Sequence, residues 1–136
     1  MKRLVFDLDG TLTQRKLPEQ SYLEVQPRLD MILKLKEYKA MGFDIIIQTS
    51  RNMRTYANSI GHINAKTLPI IISWLEKYNV PFDEIHVGKP WCGEDGFYID
   101  DRAVRPAEFL RYSKDELDAI LAKDILLEGS MGTNGQ

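Results

Sequence analysis

The chain has 136 residues, about the length of one ordinary domain, and its 43% hydrophobic and 28% charged residues indicate a globular protein. Its 18 basic and 20 acidic side chains leave a formal net charge of -2, which counts against a general nucleic-acid or membrane-surface binder. The single Cys92 excludes an internal disulfide and fits a reducing compartment. No apolar run is long enough to span a bilayer, and Asp7 and Asp9 interrupt the apolar start before a signal peptide forms. These features predict a cytoplasmic protein.

The first half of the chain alternates strand and helix patterns. Residues 4–6 form a short apolar strand that ends in a polar turn at 7–11. A helix is predicted over about 28–41, ending at Gly42, with one apolar side made of Leu29, Ile32, Leu33 and Ala40. Residues 43–47 are nearly all apolar and rich in β-branched side chains, as is typical of a strand covered on both faces.

The second half continues the alternation. Helical spacing relates Leu68, Ile71, Ile72, Leu75 and Tyr78. Two more short strands are predicted at 85–87 and 97–99. Ser113 and Glu116 have the spacing of a capping box and predict the start of a last helix. The glycine-rich polar segment 129–136 is predicted to be a disordered tail.

This order of elements predicts one domain over residues 1–128 with right-handed βαβ crossovers. The expected fold is a Rossmann-like three-layer α/β/α sandwich with a central parallel sheet. In such a sheet, ligands bind beyond the carboxyl ends of the strands. Four predicted strand ends are followed by polar residues, namely 7–11, 48–51, 88–90 and 100–102. The sequence therefore predicts that acids, a hydroxyl, a lysine and arginines collect at one edge.

Four of these residues are carboxylates, Asp7, Asp9, Asp100 and Asp101. They would repel one another in a small site unless a hard cation bound them, and an all-oxygen donor set suits Mg²⁺. Two acids spaced by two residues at a strand end suit a nucleophile and a proton-transfer group. Asp7 is the predicted nucleophile at phosphorus, and Asp9 the predicted general acid/base.

The other predicted site residues neutralise or hold a phosphoryl group. Thr49 offers a hydroxyl donor and Lys89 a compact positive charge. Gly10 lets the backbone turn close to a phosphate, which backbone amides would hold. Phosphoryl transfer requires mainly positioning and charge neutralisation, so this set is sufficient. The predicted phosphate- or substrate-binding positions are Leu8, Gly10, Thr11, Ser50, Arg51 and Arg102.

The ordered motifs Asp7-x-Asp9-Gly10-Thr11, Thr49, Lys89 and Asp100-Asp101 resemble those of the haloacid dehalogenase superfamily of phosphohydrolases. The stretches 51–54, 61–64, 88–93 and 96–103 resemble small phosphatases associated with capsular polysaccharide biosynthesis. The resemblance implies Mg²⁺ held by Asp7, the backbone carbonyl of Asp9 and Asp100, with support from Asp101.

Many members of that superfamily carry an inserted cap domain, and this chain has no room for one of the usual size of about 50 residues. The resemblance therefore implies an uncapped enzyme. Either its substrate is large, or a homo-oligomer, a dimer or a tetramer, covers the site. The expected substrate is a small phosphorylated metabolite, such as a sugar, polyol or amino-alcohol phosphate for a surface glycan, and no membrane or nucleic-acid partner is expected.

Two other functions stay open. Thr49-x-Arg51 and Asp100-Asp101-Arg102 also resemble the phosphatase halves of polynucleotide end-healing enzymes, although the negative net charge counts against a polynucleotide substrate. A phosphoacceptor receiver domain has a similar set of acidic residues, a lysine and a hydroxyl residue, but its lysine comes last in the chain. Here Lys89 precedes the second acidic pair.

Several residues have both a functional and a structural interpretation. Arg54, Arg105, His62 and Trp91 are each open between substrate contact and a structural role. His86 is expected to be a packing residue inside a strand, and Cys92 a small apolar side chain rather than a nucleophile.

Overall fold

The computed structural model describes the backbone of residues 1–134 and the side chains of residues 1–123 and 125. The elements, in chain order, are β1 (Arg3–Phe6), α1 (Leu29–Ala40), β2 (Asp44–Gln48), α2 (Ile60–Lys66), α3 (Leu68–Lys77), β3 (Glu84–His86), α4 (Pro106–Arg111) and α5 (Lys114–Asn134). The chain divides into two compact units, one ending at Trp91 and the other beginning at Cys92.

The first unit is built on a parallel sheet with the strand order β1-β2-β3. Leu4 pairs with Ile45 and Phe6 with Ile47, and Ile47 in turn pairs with Ile85. The side chains of Ile45, Ile46 and Ile47 are all buried, and because successive side chains point to opposite faces, both faces of β2 are covered. The predicted α/β class with a central parallel sheet is confirmed.

Helix α1 packs against β2 with a side that shares only Ile32 with the predicted one. Its buried residues are Met31, Ile32, Leu35 and Tyr38, whereas Leu29 and Leu33 are 65% and 62% exposed. Two rows of apolar side chains have helical spacing, one with Leu29 and Leu33 and the other with Met31 and Leu35. The periodicity alone therefore does not decide which row faces the sheet. Helix α3 follows its prediction at Ile71 and Leu75, and it also buries Trp74.

The long connection from β1 to α1 forms a flap, defined here as residues 14–26. An antiparallel bridge between Thr13 and Pro27 closes its base, and the Gln14 amide donates to the Gln26 carbonyl at 2.8 Å. The buried indole of Trp74 donates to the Val25 carbonyl at 2.9 Å. The flap is therefore closed at its base and fastened to α3.

The second unit departs from one prediction and follows another. Residues 97–99, predicted to be a strand, are neither helix nor strand in the structure, and Phe97 and Ile99 are 79% and 91% exposed. The predicted capping box at the start of α5 is confirmed, since the amides of Ser113 and Glu116 donate to each other's side chains at 3.0 and 3.2 Å. Helix α5 extends into the predicted tail as far as Asn134, and residues 135–136 lie outside the described residues. Within the described chain, no helix is both long and apolar enough to cross a membrane.

Candidate active site

The carboxyl ends of the three strands bring Asp7, Thr49 and Lys89 to one edge of the sheet, as predicted. Asp7 follows β1 directly and Thr49 follows β2. The strand ladder continues beyond the strands, because the Thr49 amide donates to the His86 carbonyl at 2.9 Å and the Lys89 amide donates to the Thr49 carbonyl at 3.1 Å. These two hydrogen bonds fix the Lys89 loop beside the end of β2.

Asp7 is a partly buried carboxylate with a positive neighbour. Its Oδ1 lies 3.8 Å from the Lys89 Nζ, and its Oδ2 accepts a hydrogen bond of 3.2 Å from the Thr11 hydroxyl. Burial raises the pKa of the Asp7 carboxyl above its ordinary value of 3.8, while Lys89, the Leu8 amide and Thr11 act in the opposite direction. The charged form of Asp7 is therefore less stable than that of a carboxyl group in water, although the nearby lysine offsets part of this effect.

A tight turn follows Asp7 and sets the backbone path of the first motif. The Leu8 carbonyl accepts from the amides of residues 11, 12 and 13, and the Leu8 side chain is fully buried. Gly10 has φ +81°, in the left-handed region that favours glycine. The Gly10 amide donates to the Thr13 hydroxyl at 3.2 Å. Leu8 thus has only backbone groups available for a ligand, and the Gly10 amide already has a protein acceptor.

Asp9 is held by Arg51 in a bidentate ion pair. The Arg51 Nε and Nη2 donate to the two carboxylate oxygens at 3.1 and 2.8 Å. The Arg51 side chain is 1% exposed, whereas that of Asp9 is 41% exposed. Among the described residues, the buried Nη1 of Arg51 has no hydrogen-bond partner. Arg51, predicted to touch an anionic substrate, thus fixes the orientation of the Asp9 carboxylate, and its contact with a substrate stays a prediction.

Tyr22 is the site residue that the sequence analysis missed. It comes from the flap, and the Arg51 guanidinium lies 4.1 Å from its ring centroid. Burial and the nearby Asp9 raise the pKa of the Tyr22 hydroxyl above 10.0, against the opposing charge of Arg51. No motif surrounds Tyr22 in the sequence, and the length of the segment between Thr11 and α1 was the only signal that a flap would reach this edge.

Thr49 and its neighbours form the floor of the site. Thr49 is 1% exposed, and its hydroxyl oxygen accepts from the Arg51 amide at 3.0 Å. Ser50 is half-buried, and its carbonyl accepts from the Met53 amide. Gly88, just before Lys89, has φ +84°, which residues with side chains rarely adopt, and a Cβ there would displace the flexible end of the Ile60 side chain. The loop therefore requires glycine at this position.

The oxygen atoms available at this edge suit a hard cation. Asp7 offers a carboxylate whose side chain is 39% exposed, and Asp9 offers its backbone carbonyl. Among the described residues, no three His, Cys, Asp or Glu side chains group closely enough to hold a metal ion. The further oxygens that the sequence predicts belong to Asp100 and Asp101 in the second unit.

Asp100, Asp101 and Arg102 are all exposed and form a turn of their own. The Arg102 amide donates to the Asp100 Oδ1 at 2.8 Å. Arg105 lies at the start of α4, where its amide donates to the Glu108 carboxylate at 2.8 Å.

The remaining candidates have structural contacts. His62 lies in the first turn of α2, hydrogen-bonded through Nδ1 to the Ser59 hydroxyl at 2.7 Å and stacked on Tyr56. The Arg54 guanidinium lies 5.7 Å from the Trp91 ring centroid. His86, expected to be packed, is instead 54% exposed and contacts Glu84. Cys92 is half-buried.

Comparison with known proteins gives one strong match. No family model and no curated protein matches the chain. Among solved structures, a D,D-heptose 1,7-bisphosphate phosphatase from B. bronchiseptica is 17% identical over 71% of this chain and 54% of its own, with a TM-score of 0.46. A chain of a Pnkp1/Rnl/Hen1 complex is 20% identical over 82% of this chain and 34% of its own, with a TM-score of 0.48.

The strong match is a protein from Vibrio cholerae whose crystal structure is known. It is 57% identical to this chain, the alignment covers 91% of this chain and 99% of the other, and the TM-score is 0.87. Identity at this level over nearly the full length of both proteins shows common descent. The chain therefore belongs to the same family as this Vibrio cholerae protein.

Proposed function

We propose that the protein is a Mg²⁺-dependent phosphomonoesterase of the haloacid dehalogenase type that works through an aspartyl-phosphate at Asp7. The observation that carries this proposal is the pairing of a partly buried carboxylate at the end of β1 with the Lys89 ammonium 3.8 Å away. Desolvation makes such a carboxylate a better nucleophile, and the lysine offsets the repulsion between it and an approaching phosphate.

In the first half-reaction an Asp7 carboxylate oxygen attacks phosphorus in line with the leaving oxygen. A new O–P bond forms as the bond to the leaving alcohol breaks, and the alcohol oxygen receives a proton from Asp9. Lys89 and the Thr49 hydroxyl donate to the phosphoryl oxygens. The Thr49 oxygen already accepts from the Arg51 amide, so its hydrogen is left to point at the substrate.

In the second half-reaction the Asp9 carboxylate takes a proton from water, and the resulting hydroxide attacks the aspartyl-phosphate. The P–O bond to Asp7 breaks, which releases inorganic phosphate and restores both carboxyl groups. Both Asp9 oxygens accept from Arg51 in the resting structure. Asp9 therefore leaves at least one of these hydrogen bonds in order to exchange a proton.

Asp7 and the Asp9 carbonyl would hold the Mg²⁺, with Asp100 and Asp101 supplying the remaining protein oxygens. The bound cation supplies charge neutralisation for the phosphoryl oxygens and lowers the repulsion among the carboxylates. The substrate that we propose is a small sugar, polyol or amino-alcohol phosphate of surface-polysaccharide synthesis. The support for this class is the resemblance of residues 88–93 and 96–103 to capsule-associated phosphatases.

The test follows free phosphate released from a panel of sugar, polyol, amino-alcohol and nucleotide monoesters in the presence of Mg²⁺. We expect sustained release from one class, abolished by a chelator and reduced at least about a thousandfold by Asp7→Asn, which removes the nucleophile. Asp44→Asn is the matched control because Asp44 lies at the opposite end of β2, and its activity should equal that of the wild type. Wild-type rates in a well-folded Asp7→Asn variant would contradict the mechanism.

A further inference from the structure

The Arg51 guanidinium is buried, yet its hydrogen bonds satisfy only part of its charge and its donors. Its Nε and Nη2 donate to Asp9, whose own side chain is 41% exposed. The third nitrogen, Nη1, is buried and has no hydrogen-bond partner in the part of the chain that the structure describes. Burying a cation is unfavourable unless other groups replace the water that it loses. A further contact is therefore needed to hold this side chain in place.

The aromatic ring of Tyr22 provides such a contact. The Arg51 Cζ lies over the ring at 4.1 Å from its centroid, which is close to van der Waals contact. The negative face of an aromatic ring attracts a guanidinium, and the attraction is stronger where water is excluded. The ring therefore stabilises the charge of Arg51 without a hydrogen-bond acceptor.

Tyr22 belongs to a tight turn of the flap, residues 21–24. The Ser21 amide donates to the Glu24 carboxylate at 2.7 Å, and the Glu24 amide donates to the Ser21 carbonyl at 3.1 Å. The next residue, Val25, is fully buried, and its carbonyl accepts from the Trp74 indole. The turn is therefore fastened to α3 and presents the ring to Arg51 from a fixed position.

We propose that Tyr22 is a positioning residue for the acid/base group Asp9 and that the face of its ring acts through Arg51. This inference rests on the proposed function, in which Asp9 gives up at least one hydrogen bond to Arg51 whenever it exchanges a proton. At that point the buried guanidinium loses part of its contact with the carboxylate. The Tyr22 ring holds the guanidinium in place meanwhile, so that Asp9 returns to the same orientation for the next step.

This role predicts a loss of activity that depends on the leaving group. An alkyl phosphate needs a proton on the departing alcohol, which Asp9 supplies, whereas p-nitrophenol departs as a stable anion. The ratio kcat/KM includes only the steps up to formation of the aspartyl-phosphate, so it separates proton donation from the later hydrolysis. Misplacing Asp9 should therefore reduce kcat/KM for an alkyl ester and spare that for p-nitrophenyl phosphate.

Steady-state kinetics of Tyr22→Leu test this loss on the best alkyl ester of the panel and on p-nitrophenyl phosphate. We expect kcat/KM to fall about tenfold for the alkyl ester and less than about twofold for the aryl ester. Tyr22→Phe keeps the ring face and should stay within about threefold of the wild type on the alkyl ester. Leu23→Ala is the matched control on the same turn, because Leu23 is 43% exposed, and it should keep both values. Equal losses on the two esters in Tyr22→Leu, or an equal loss in Tyr22→Phe, would overturn the proposal.

A double-mutant cycle tests whether Tyr22 acts through Arg51. Arg51→Met removes the charge and the hydrogen bonds to Asp9 and keeps an unbranched side chain. In that background, Tyr22→Leu should change kcat/KM for the alkyl ester by less than about twofold, because the contact that it removes no longer exists. A further loss of about tenfold there would show that Tyr22 acts independently of Arg51, which contradicts the positioning role.

The nuclear magnetic resonance of the Arg51 Nε–H group provides a readout that does not depend on activity. In proton–nitrogen spectra it is identified by its absence from Arg51→Lys. Tyr22→Leu should shift this resonance and speed its exchange with water, because the ring no longer covers the group, whereas Tyr22→Phe should leave it near the wild-type position. An unchanged resonance in Tyr22→Leu would overturn the contact. If the wild type hydrolysed no ester, the proposed function would fail, while this spectrum would still decide whether the ring holds Arg51.

Discussion

Arg51 shows how one buried side chain changes the interpretation of a motif. It lies two residues after Thr49, where a sequence suggests an arginine reaching for a substrate anion. In the structure, the buried guanidinium lies against the Tyr22 ring and donates one hydrogen bond to each carboxylate oxygen of Asp9. A planar fork fixes the orientation of a carboxylate as a single ammonium does not.

Replacing Arg51 with lysine should therefore reduce catalysis by disturbing Asp9. We expect Arg51→Lys to lower kcat by about tenfold to a hundredfold with little change in KM, because in the mechanism that we propose Asp9 is the acid/base group, and its displacement affects the chemical steps. Phosphate-release kinetics with the best ester of the panel would measure this. Arg54→Lys, on the exposed side of the same loop, is the control and should keep both constants. A raised KM with unchanged kcat in Arg51→Lys would mean that Arg51 binds substrate directly.

The sequence predicted the residues that follow strands and did not predict those that arrive from elsewhere. Asp7, Thr49 and Lys89 could be placed together because the ends of parallel strands meet at one edge. The contact between Tyr22 and Arg51 depends on how the flap folds back over the sheet, and that path is set by tertiary contacts such as the one between Trp74 and Val25. No local pattern in the sequence encodes such a path.

Among the elements, the loop after β3 depends on a glycine to place Lys89. Gly88→Ala combines an unfavourable positive φ with a contact that displaces the flexible end of the Ile60 side chain. We expect a loss of stability of about 2 kcal/mol or more, together with lower activity, because the loop that carries Lys89 must shift. Gly42→Ala is the control, since Gly42 has φ +97° but open space around it; it should lose only about 1 kcal/mol. Chemical denaturation would compare the two, and equal losses would show that the contact with Ile60 is unimportant.

The start of β3 is tied to β2 through the carboxylate of Asp83. It accepts from the Ile45 amide at 2.7 Å and from the Lys39 ammonium at 2.8 Å. These hydrogen bonds, that of Lys39 first, hold the pKa of Asp83 below its ordinary value of 3.8. A carboxyl with a lowered pKa in the folded state stabilises the fold above its ordinary pKa, and this stabilisation is lost as the pH falls through the folded value.

Asp83→Asn should therefore be less stable than the wild type at pH 7, and the difference should shrink below about pH 3.8 as the wild-type carboxylate takes up its proton. Urea denaturation across this range measures the difference. Asp118→Asn, which removes an exposed carboxylate paired with Lys114 on α5, should change stability little at either pH. A constant difference between wild type and Asp83→Asn at all pH values would show that the charge of Asp83 is not what matters.

Helices and strands were predicted well where the apolar pattern allows a single buried surface, and less well where it allows two. β2 has apolar side chains on both faces, so the prediction did not depend on which face is buried. In α1 two apolar rows compete, and packing against β2 selected the row with Met31 and Leu35. Residues 97–99 have strand-forming side chains, yet they are neither helix nor strand, because strand propensity depends on the tertiary surroundings as much as on the local pattern.

At the scale of the whole molecule, charge distinguishes a small substrate from a polynucleotide. The formal net charge is -2, and at the proposed site Lys89 and Arg51 already face Asp7 and Asp9. A protein that binds a nucleic-acid strand needs basic residues to spare for successive phosphates, and each such contact makes binding depend steeply on salt.

We therefore expect little dependence of catalysis on ionic strength and no preference for a polymer. Between about 50 and 200 mM salt, kcat/KM for the best small ester should change by less than about threefold, because few phosphates are engaged. A 3′-phosphorylated oligonucleotide should be hydrolysed no faster than the matching nucleoside 3′-phosphate, which is the control for the base and the sugar. Both substrates present the same ester to Asp7, so any difference between them reports contacts along the strand. Faster hydrolysis of the oligonucleotide, lost as the salt is raised, would identify a polynucleotide end as the substrate.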